Sequence, residues 1–276
     1  METVPHRLRI SLVAAAMLAA AVWTACAQNG APAARTPSAS GKPAEYAYQI
    51  VKVFPHDREA YTQGLHYHQG FLYEGTGLNG RSSLRKVQLE TGKVLRSIPL
   101  SAEFFGEGIA VIGDEIAQLT WRHGVGFVYG LDDFRLRRKF SYSGEGWGLA
   151  TNGREIFMSD GTADIRVLDP RTFAEKSRFT VRDGGHPVTQ LNELEWVEGE
   201  IYANVYQTER IARISPRSGQ VTGWIDMNGL LSPVVRSGPV DVLNGIAYDA
   251  AGKRLFVTGK LWPSVFQVRV VPKPRR

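Results

Sequence analysis

Five times along the chain a three-residue step, its middle position glycine in four cases and glutamate in one, introduces an apolar run of strand character. The steps are Gln63-Gly64-Leu65, Glu107-Gly108-Ile109, Trp147-Gly148-Leu149, Asn192-Glu193-Leu194 and Asn244-Gly245-Ile246. Their middle residues, 64, 108, 148, 193 and 245, stand 44, 40, 45 and 52 positions apart, a period that signals propeller blades. Each recurrence brings a different reactive residue to the same structural place.

Within about ten residues of each step a second apolar run follows, beginning at Phe71, Glu115, Glu155, Glu200 and Arg254. The pairs between the runs are Gln69-Gly70, Gly113-Asp114, Asn152-Gly153, Glu198-Gly199 and Gly252-Lys253, the chemistry of tight hairpins that need positive φ. Third and fourth runs meet across Thr91-Gly92, Asp132-Asp133, Pro170-Arg171 and Ser218-Gly219. Four strands in each of five units predict an all-β five-bladed β-propeller of antiparallel four-stranded blades. The fifth unit ends after Ser264 to Val271 with no fourth strand, and Tyr46 to Phe54 is a strand with no unit before it. Pairing this N-terminal strand into the last blade removes two open edges that otherwise invite aggregation. The propeller domain is therefore expected over 45–271.

Residues 1–27 read as a signal peptide: Arg7 and Arg9, an apolar run from Leu12 to Val22 too short for a comfortable membrane span, and a small-x-small site at Ala25-Cys26-Ala27. A periplasmic or secreted protein is expected. Lipidation of Cys26 is the alternative, against which Trp23 stands where a smaller aliphatic residue is wanted. Cys26 is the only cysteine, so the mature domain has neither disulfide nor thiol chemistry. Residues 28–44 read as a flexible linker rich in Ala, Pro, Ser and Gly, and 272–276 as a solvated basic tail. The net charge of +6 is dispersed, without the basic stripe and interleaved aromatics of a nucleic-acid reader.

Two motifs point elsewhere and are set aside. Gly75-Thr-Gly77-Leu-Asn-Gly80 spells a dinucleotide fingerprint, but it leads into another strand-like run at Leu84 to Leu89 where a helix is required. His66 and His68 share one face of a strand, yet the repeat places no third ligand near them, and an exposed pair is the reading.

In a propeller, equivalent early positions of every blade converge on one mouth of the central channel. That rule gathers Gln63, Glu107, Trp147, Asn192 and Asn244, with Glu74, Trp121, Asp160, Tyr206 and Lys260 added by the second strands. Each has an ordinary structural account: a turn carboxylate for Glu107, inter-blade packing for the tryptophans, backbone capping for the asparagines, a solvated lysine for Lys260. The shared register, which sets them all round one channel, argues for a site.

The strings Tyr-Thr-Gln-Gly-Leu (61 to 65), Phe-Phe-Gly-Glu-Gly-Ile (104 to 109), Gln-Leu-Thr-Trp (118 to 121), Gly-Trp-Gly-Leu (146 to 149), Leu-Asn-Glu-Leu-Glu (191 to 195), Leu-Asn-Gly-Ile-Ala (243 to 247) and Thr-Gly-Lys-Leu-Trp-Pro (258 to 263) closely resemble the plant- and bacterial-type glutaminyl cyclases. The resemblance runs from about Tyr46 to about Val268. It implies a five-bladed propeller that converts the N-terminal glutamine of peptides and proteins to pyroglutamate with release of ammonia. It further implies that Glu107 is the proton-transferring acid/base, that Trp121 and Trp147 line the substrate pocket, and that Gln63, Asn192 and Lys260 make polar contacts with the substrate. Tyr206 departs from the plant-type pattern, which carries a tryptophan there. Lys260 or Asn192 is expected to stabilise the oxyanion, no metal or cofactor is demanded, and a monomer acting on Gln-initiated peptides is expected. Two rivals stand beside this reading. A sugar or lactone hydrolase would draft Glu74, Asp160 or Glu195 as second carboxylate or would use a calcium cage, and a binding propeller would dispense with Glu107.

Overall fold

The computed structural model describes residues 42–231 and 238–273. The expected leader with Cys26, the linker up to residue 41 and the last three tail residues lie outside the described residues. Every regular element among the described residues is a strand, and no helix there is long and apolar enough to cross a membrane.

The chain opens with β1 (Ala44–Pro55). The first unit is the antiparallel sheet β2 (Thr62–His68), β3 (Phe71–Thr76), β4 (Ser83–Gln88) and β5 (Val94–Pro99). The second is β6 (Gly106–Ile112), β7 (Glu115–Thr120), β8 (Val125–Gly130) and β9 (Leu136–Ser141). The third is β10 (Leu149–Thr151), β11 (Ile156–Met158), β12 (Asp164–Leu168) and β13 (Glu175–Thr180), after which β14 (Arg182–Asp183) and β15 (His186–Pro187) form a small hairpin. A fourth meander, β16 (Leu191–Val197), β17 (Glu200–Val205), β18 (Arg210–Ile214) and β19 (Val221–Asp226), precedes β20 (Leu243–Asp249), β21 (Arg254–Gly259) and β22 (Ser264–Pro272). The fingerprint-like Gly75 to Gly80 segment is the end of β3 and the turn that leads into β4.

The hairpins follow from the turn residues. Gln69 and Gly70 both take positive φ (48° and 89°), as do Glu198 and Gly199 (47° and 95°), the backbone that matches the twist of a two-residue connection. In the last unit the positive φ falls on Lys253, at 50°, one position later than the glycine.

The fourth and fifth units are not separate sheets. β1 pairs antiparallel with β22 from Tyr46↔Pro272 to Pro55↔Ser264, so the N-terminal strand supplies the fourth strand of the last unit. Its first residues also run parallel to β19, Ala44↔Gly223 to Tyr46↔Ile225, and fuse the two units into one eight-stranded sheet. Gly223 permits this, because a Cβ there would lie 2.6 Å from the Tyr46 ring. Arg210 Nη2 fixes Glu45 at 2.9 Å. The strand thus begins inside the segment read as linker, and Lys273, read as part of the solvated tail, donates its backbone N–H to Glu45 O at 3.0 Å and pairs with Asp226 at 2.7 Å.

The apolar faces of the units bury against one another. Tyr73, Leu84, Ile109 and Ile116 pack between the first and second units, Ala110, Leu119, Leu149 and Ile156 between the second and third. Phe157, Ile165, Leu194 and Ile201 fill the third junction, Ile211, Ile225, Ile246 and Val257 the fourth. A fifth cluster, Leu65, Leu72 and Val87 with Phe54, Phe256 and Val265, joins the last unit back to the first. Each leucine, isoleucine, valine or phenylalanine among them stabilises by about 1.5–3 kcal/mol when fully buried.

Candidate active site

Site geometry begins with a repeated irregularity. The first strand of four units slips register against its neighbour, between Thr62 and Gly64, Gly106 and Ile109, Leu191 and Leu194, and Leu243 and Ile246. Gln63, Glu107, Asn192 and Asn244 sit in these bulges, where an unpaired residue is re-aimed out of the sheet alternation. In the third unit β10 starts only at Leu149, and Trp147 stands just before it, its N–H donating to Ser159 O at 3.0 Å. The glycine after the reactive residue admits the neighbouring backbone. A Cβ on Gly64 would lie 2.4 Å from Ile109 N, one on Gly108 2.6 Å from Trp147 O, and one on Gly148 2.1 Å from Asn192 O.

A cavity of about 190 Å³ is lined by Tyr61, Gln63, Phe105, Glu107, Trp121, Trp147, Asn192, Tyr206 and Lys260. Seven of the ten residues gathered from the repeat, Gln63, Glu107, Trp121, Trp147, Asn192, Tyr206 and Lys260, therefore meet in one hollow, large enough for the liquid volume of ~6 waters and suited to one side chain. Gln63 Nε2 donates to Glu107 Oε1 at 3.0 Å, and Asn244 Nδ2 donates to Gln63 Oε1 at 3.3 Å. This chain spans three units and fixes which end of the Gln63 amide faces the carboxylate. The Lys260 ammonium lies 4.9 Å from the Tyr61 ring centroid and 5.2 Å from that of Tyr206, a cation held by two aromatic faces. Trp147 meets Tyr206 edge-on at 5.8 Å and Trp121 meets Phe105 at 5.5 Å. The Tyr206 phenol thus walls the pocket beside Trp147.

Burial dominates the electrostatics. Glu107 is 4% and Lys260 3% exposed. Burial pushes the Glu107 carboxyl well above the ordinary glutamate value, the nearby Lys260 charge opposes this, and Glu145 adds to it. Burial likewise lowers Lys260, against the pull of Glu107 and Asp241. A carboxyl whose proton is held more tightly than usual can give it as well as take it.

Several expected members are placed elsewhere. Glu74 is sealed in a buried cluster with Arg85 (2.7 Å), His56 (3.0 Å) and Thr62 (2.7 Å); against its burial, Arg85 and His56 hold its carboxyl well below the usual range. The position matching Trp121 in the first unit is Gly77, three residues on, where a Cβ would meet the Phe105 ring at 2.3 Å. Asp160 pairs with Arg166 at 2.7 Å. Asn244 acts through Gln63 and is absent from the lining. Glu195 accepts the Tyr248 N–H at 3.0 Å and lies 3.7 Å from His66. His66 is accordingly half-buried beside a carboxylate, contrary to the exposed pair expected. Among the described residues no three His, Cys, Asp or Glu side chains cluster as a metal would need.

Sequence reasoning missed Tyr61, Phe105 and Glu145. The first two stand two residues before Gln63 and Glu107, just ahead of β2 and β6, and enter the same cavity from those connectors. Glu145 lies in the connector before β10, where no period operates.

The chain matches the sequence profile of the family described as Glutamine cyclotransferase over residues 16–270. It is 44% identical, over 226 residues that make up 80% of this chain and 71% of the relative, to a protein of Arabidopsis thaliana named glutaminyl-peptide cyclotransferase. The crystal structure of Myxococcus xanthus glutaminyl cyclase superposes with a TM-score of 0.79 at 36% identity, covering 84% of this chain and all of the other. A profile match across nearly the whole described fold, joined to a relative at this identity, leaves one assignment: the chain belongs to the glutamine cyclotransferase family.

Proposed function

We propose that this protein converts N-terminal glutamine of peptides and proteins to pyroglutamate with release of ammonia, using Glu107 as a single acid/base and no metal. We read its five units as the blades of a five-bladed β-propeller, a reading supported by five apolar junctions of which one joins the last unit to the first.

The observation that carries the reaction is a buried carboxyl of raised pKa, bonded on one oxygen by Gln63, inside a one-side-chain hollow of indoles and a lysine. The substrate α-amine, of ordinary pKa ~8, is partly neutral near neutrality. It attacks its own side-chain carboxamide carbon, so both reacting groups arrive together and the protein needs only to select the folded-back rotamer. Trp121 and Trp147 enclose that rotamer. The new N–C bond makes a tetrahedral oxyanion, stabilised by the Lys260 ammonium or the Asn192 amide. With Gln63 on Oε1, Oε2 of Glu107 takes the proton from the attacking nitrogen and returns it to the departing one. The C–N bond of the carboxamide then breaks, ammonia leaves, and Glu107 ends as it began.

Purified protein incubated with Gln-initiated dipeptides and a chelator is expected to release one ammonia per pyroglutamyl product. Glu107→Gln is expected to lower kcat/KM by about 10²–10⁴-fold with an unchanged circular dichroism spectrum. Undiminished turnover in that variant, or turnover abolished by the chelator, overturns the assignment.

A further inference from the structure

Glu145 is not part of the cavity lining, yet it touches both tryptophan walls. Trp121 Nε1 donates to Glu145 Oε2 at 2.7 Å, and Trp147 Nε1 donates to the same oxygen at 2.8 Å. Arg122 Nε donates to the other oxygen at 3.1 Å, and its guanidinium lies 3.7 Å over the Trp121 ring. Two indole N–H groups from different units converging on one atom fix the angle and spacing between their rings. We propose that Glu145 is a positioning residue that locks Trp121 and Trp147 into one two-walled slot for the substrate side chain.

The backbone around Glu145 is tied to the residues it holds. Gly146 N donates to Trp121 O at 3.0 Å, and Trp147 N to Ser159 O at 3.0 Å. The Tyr142 hydroxyl bonds to the Thr120 and Val125 carbonyls, anchoring the start of the same connector on β7 and β8. A Cβ on Gly146 would meet that hydroxyl at 2.7 Å, so the connector packs directly on its anchor. An indole N–H needs an acceptor when water is excluded, and a neutral carbonyl would serve that need for each ring separately. One shared carboxylate does two further things. It couples the two walls, and it places a negative charge that raises the neighbouring Glu107. Burial alone would raise Glu145 itself, but the bonds from Trp147, Trp121 and Arg122 hold it below the usual glutamate range, so the charge is present at working pH.

The inference rests on the pocket reading above, and its test separates the two. Glu145→Ala removes acceptor and charge, whereas Glu145→Gln keeps an oxygen that can accept from both indoles, removes the charge and gives up only the bond from Arg122 on the solvent side. In Glu145→Ala, KM for a Gln-initiated dipeptide is expected to rise roughly ten- to hundred-fold with a smaller change in kcat. In Glu145→Gln, KM is expected within about three-fold of the parent. In both, the acid limb of the kcat/KM profile should move to lower pH by a similar amount, because the charge that raises Glu107 is gone. The near-ultraviolet dichroism of the tryptophans should change in Glu145→Ala and be restored in Glu145→Gln. A merely structural residue would give equal losses in both variants and an unmoved limb; that result, or an unchanged KM in Glu145→Ala, overturns the proposal. If Glu145→Ala does not fold, Glu145→Gln decides alone, a retained KM with a shifted limb supporting the clamp and any other result refuting it. If the parent protein releases no ammonia, the function fails, while the dichroism, which needs no turnover, still judges the clamp.

Discussion

Glu107 and Lys260 are each displaced by burial in opposite senses and coupled to each other, so neither can be changed without moving its partner. Lys260 lowers Glu107, and losing it should therefore carry the acid limb of kcat/KM to higher pH, the reverse of the shift expected on removing Glu145. Lys260→Met, which keeps the length and apolar stem, is expected to show that upward shift together with a fall in kcat/KM of about 10²-fold. A kcat/KM profile measured with one dipeptide on parent and variant cancels the titration of the substrate amine, and a limb that stays in place would disconnect Lys260 from the acid/base group. Most of this site was legible in the letters, because equivalent positions in a repeat meet at one place. The failures mark where that rule lapses. Glu74 stands three residues before the position that matches Trp121, and its partners Arg85 and His56, 11 and 18 positions away, seal it in a cluster of its own. Glu145 acts through hydrogen bonds to indole N–H groups, which leave no periodic trace.

The first strands explain why three of the five repeated steps carry glycine at the middle, the fourth glycine, Gly245, being set by its φ of 123°. Neighbouring backbones approach so closely that a side chain at 64, 108 or 148 would strike main-chain atoms of the next unit, and main chain yields less readily than a flexible side chain. Gly148 is the tightest case, and its neighbours Trp147 and Asn192 both line the pocket. Gly148→Ala is expected to lower the urea-unfolding free energy by about 2–3 kcal/mol and to depress activity in the fraction that folds. Gly153, at φ 82° with open space around it, provides the control: Gly153→Ala should cost only the ~1–2 kcal/mol of a strained backbone and leave KM unchanged. Equal losses in the two variants would mean that the inner strands relax apart. Strand order and hairpins were readable here because apolar alternation and Gly-containing turns are local signals. The register slips that aim Gln63 and Glu107 into the cavity were not, since a bulge depends on its partner strand. Nor was the fusion through β1 and β19, which turns on the fit of one tyrosine ring over one glycine.

At the scale of the whole molecule, the exception among those glycines is the informative position. Glu193 stands where the others have no side chain, and its carboxyl reaches across to the first and last units. Oε1 accepts the Leu65 N–H at 3.1 Å and Oε2 the Ile246 N–H at 2.8 Å. One side chain of the fourth unit thereby ties together the two units between which the proposed ring closes. Its environment carries a pH signature. Burial, with a smaller push from Glu195, raises Glu193 well above the ordinary glutamate value. An acid whose folded pKa is raised favours the fold fully below its unfolded pKa, and that contribution is lost as pH rises through the folded value, because the unfolded chain ionises first. Glu193→Gln removes the titration and turns one acceptor into a donor facing a backbone N–H, at a cost of about 1–3 kcal/mol. The stability gap between parent and variant, read from urea unfolding at a series of pH values, should therefore be widest in mild acid and narrow as pH rises past the glutamate range. A gap that widens with pH would show that the bridge works as a carboxylate held ionised by its two N–H donors, the closure of the fold then gaining strength from alkali. A flat gap would show that the carboxyl titrates alike in the folded and unfolded chain and that its burial carries no pH signature.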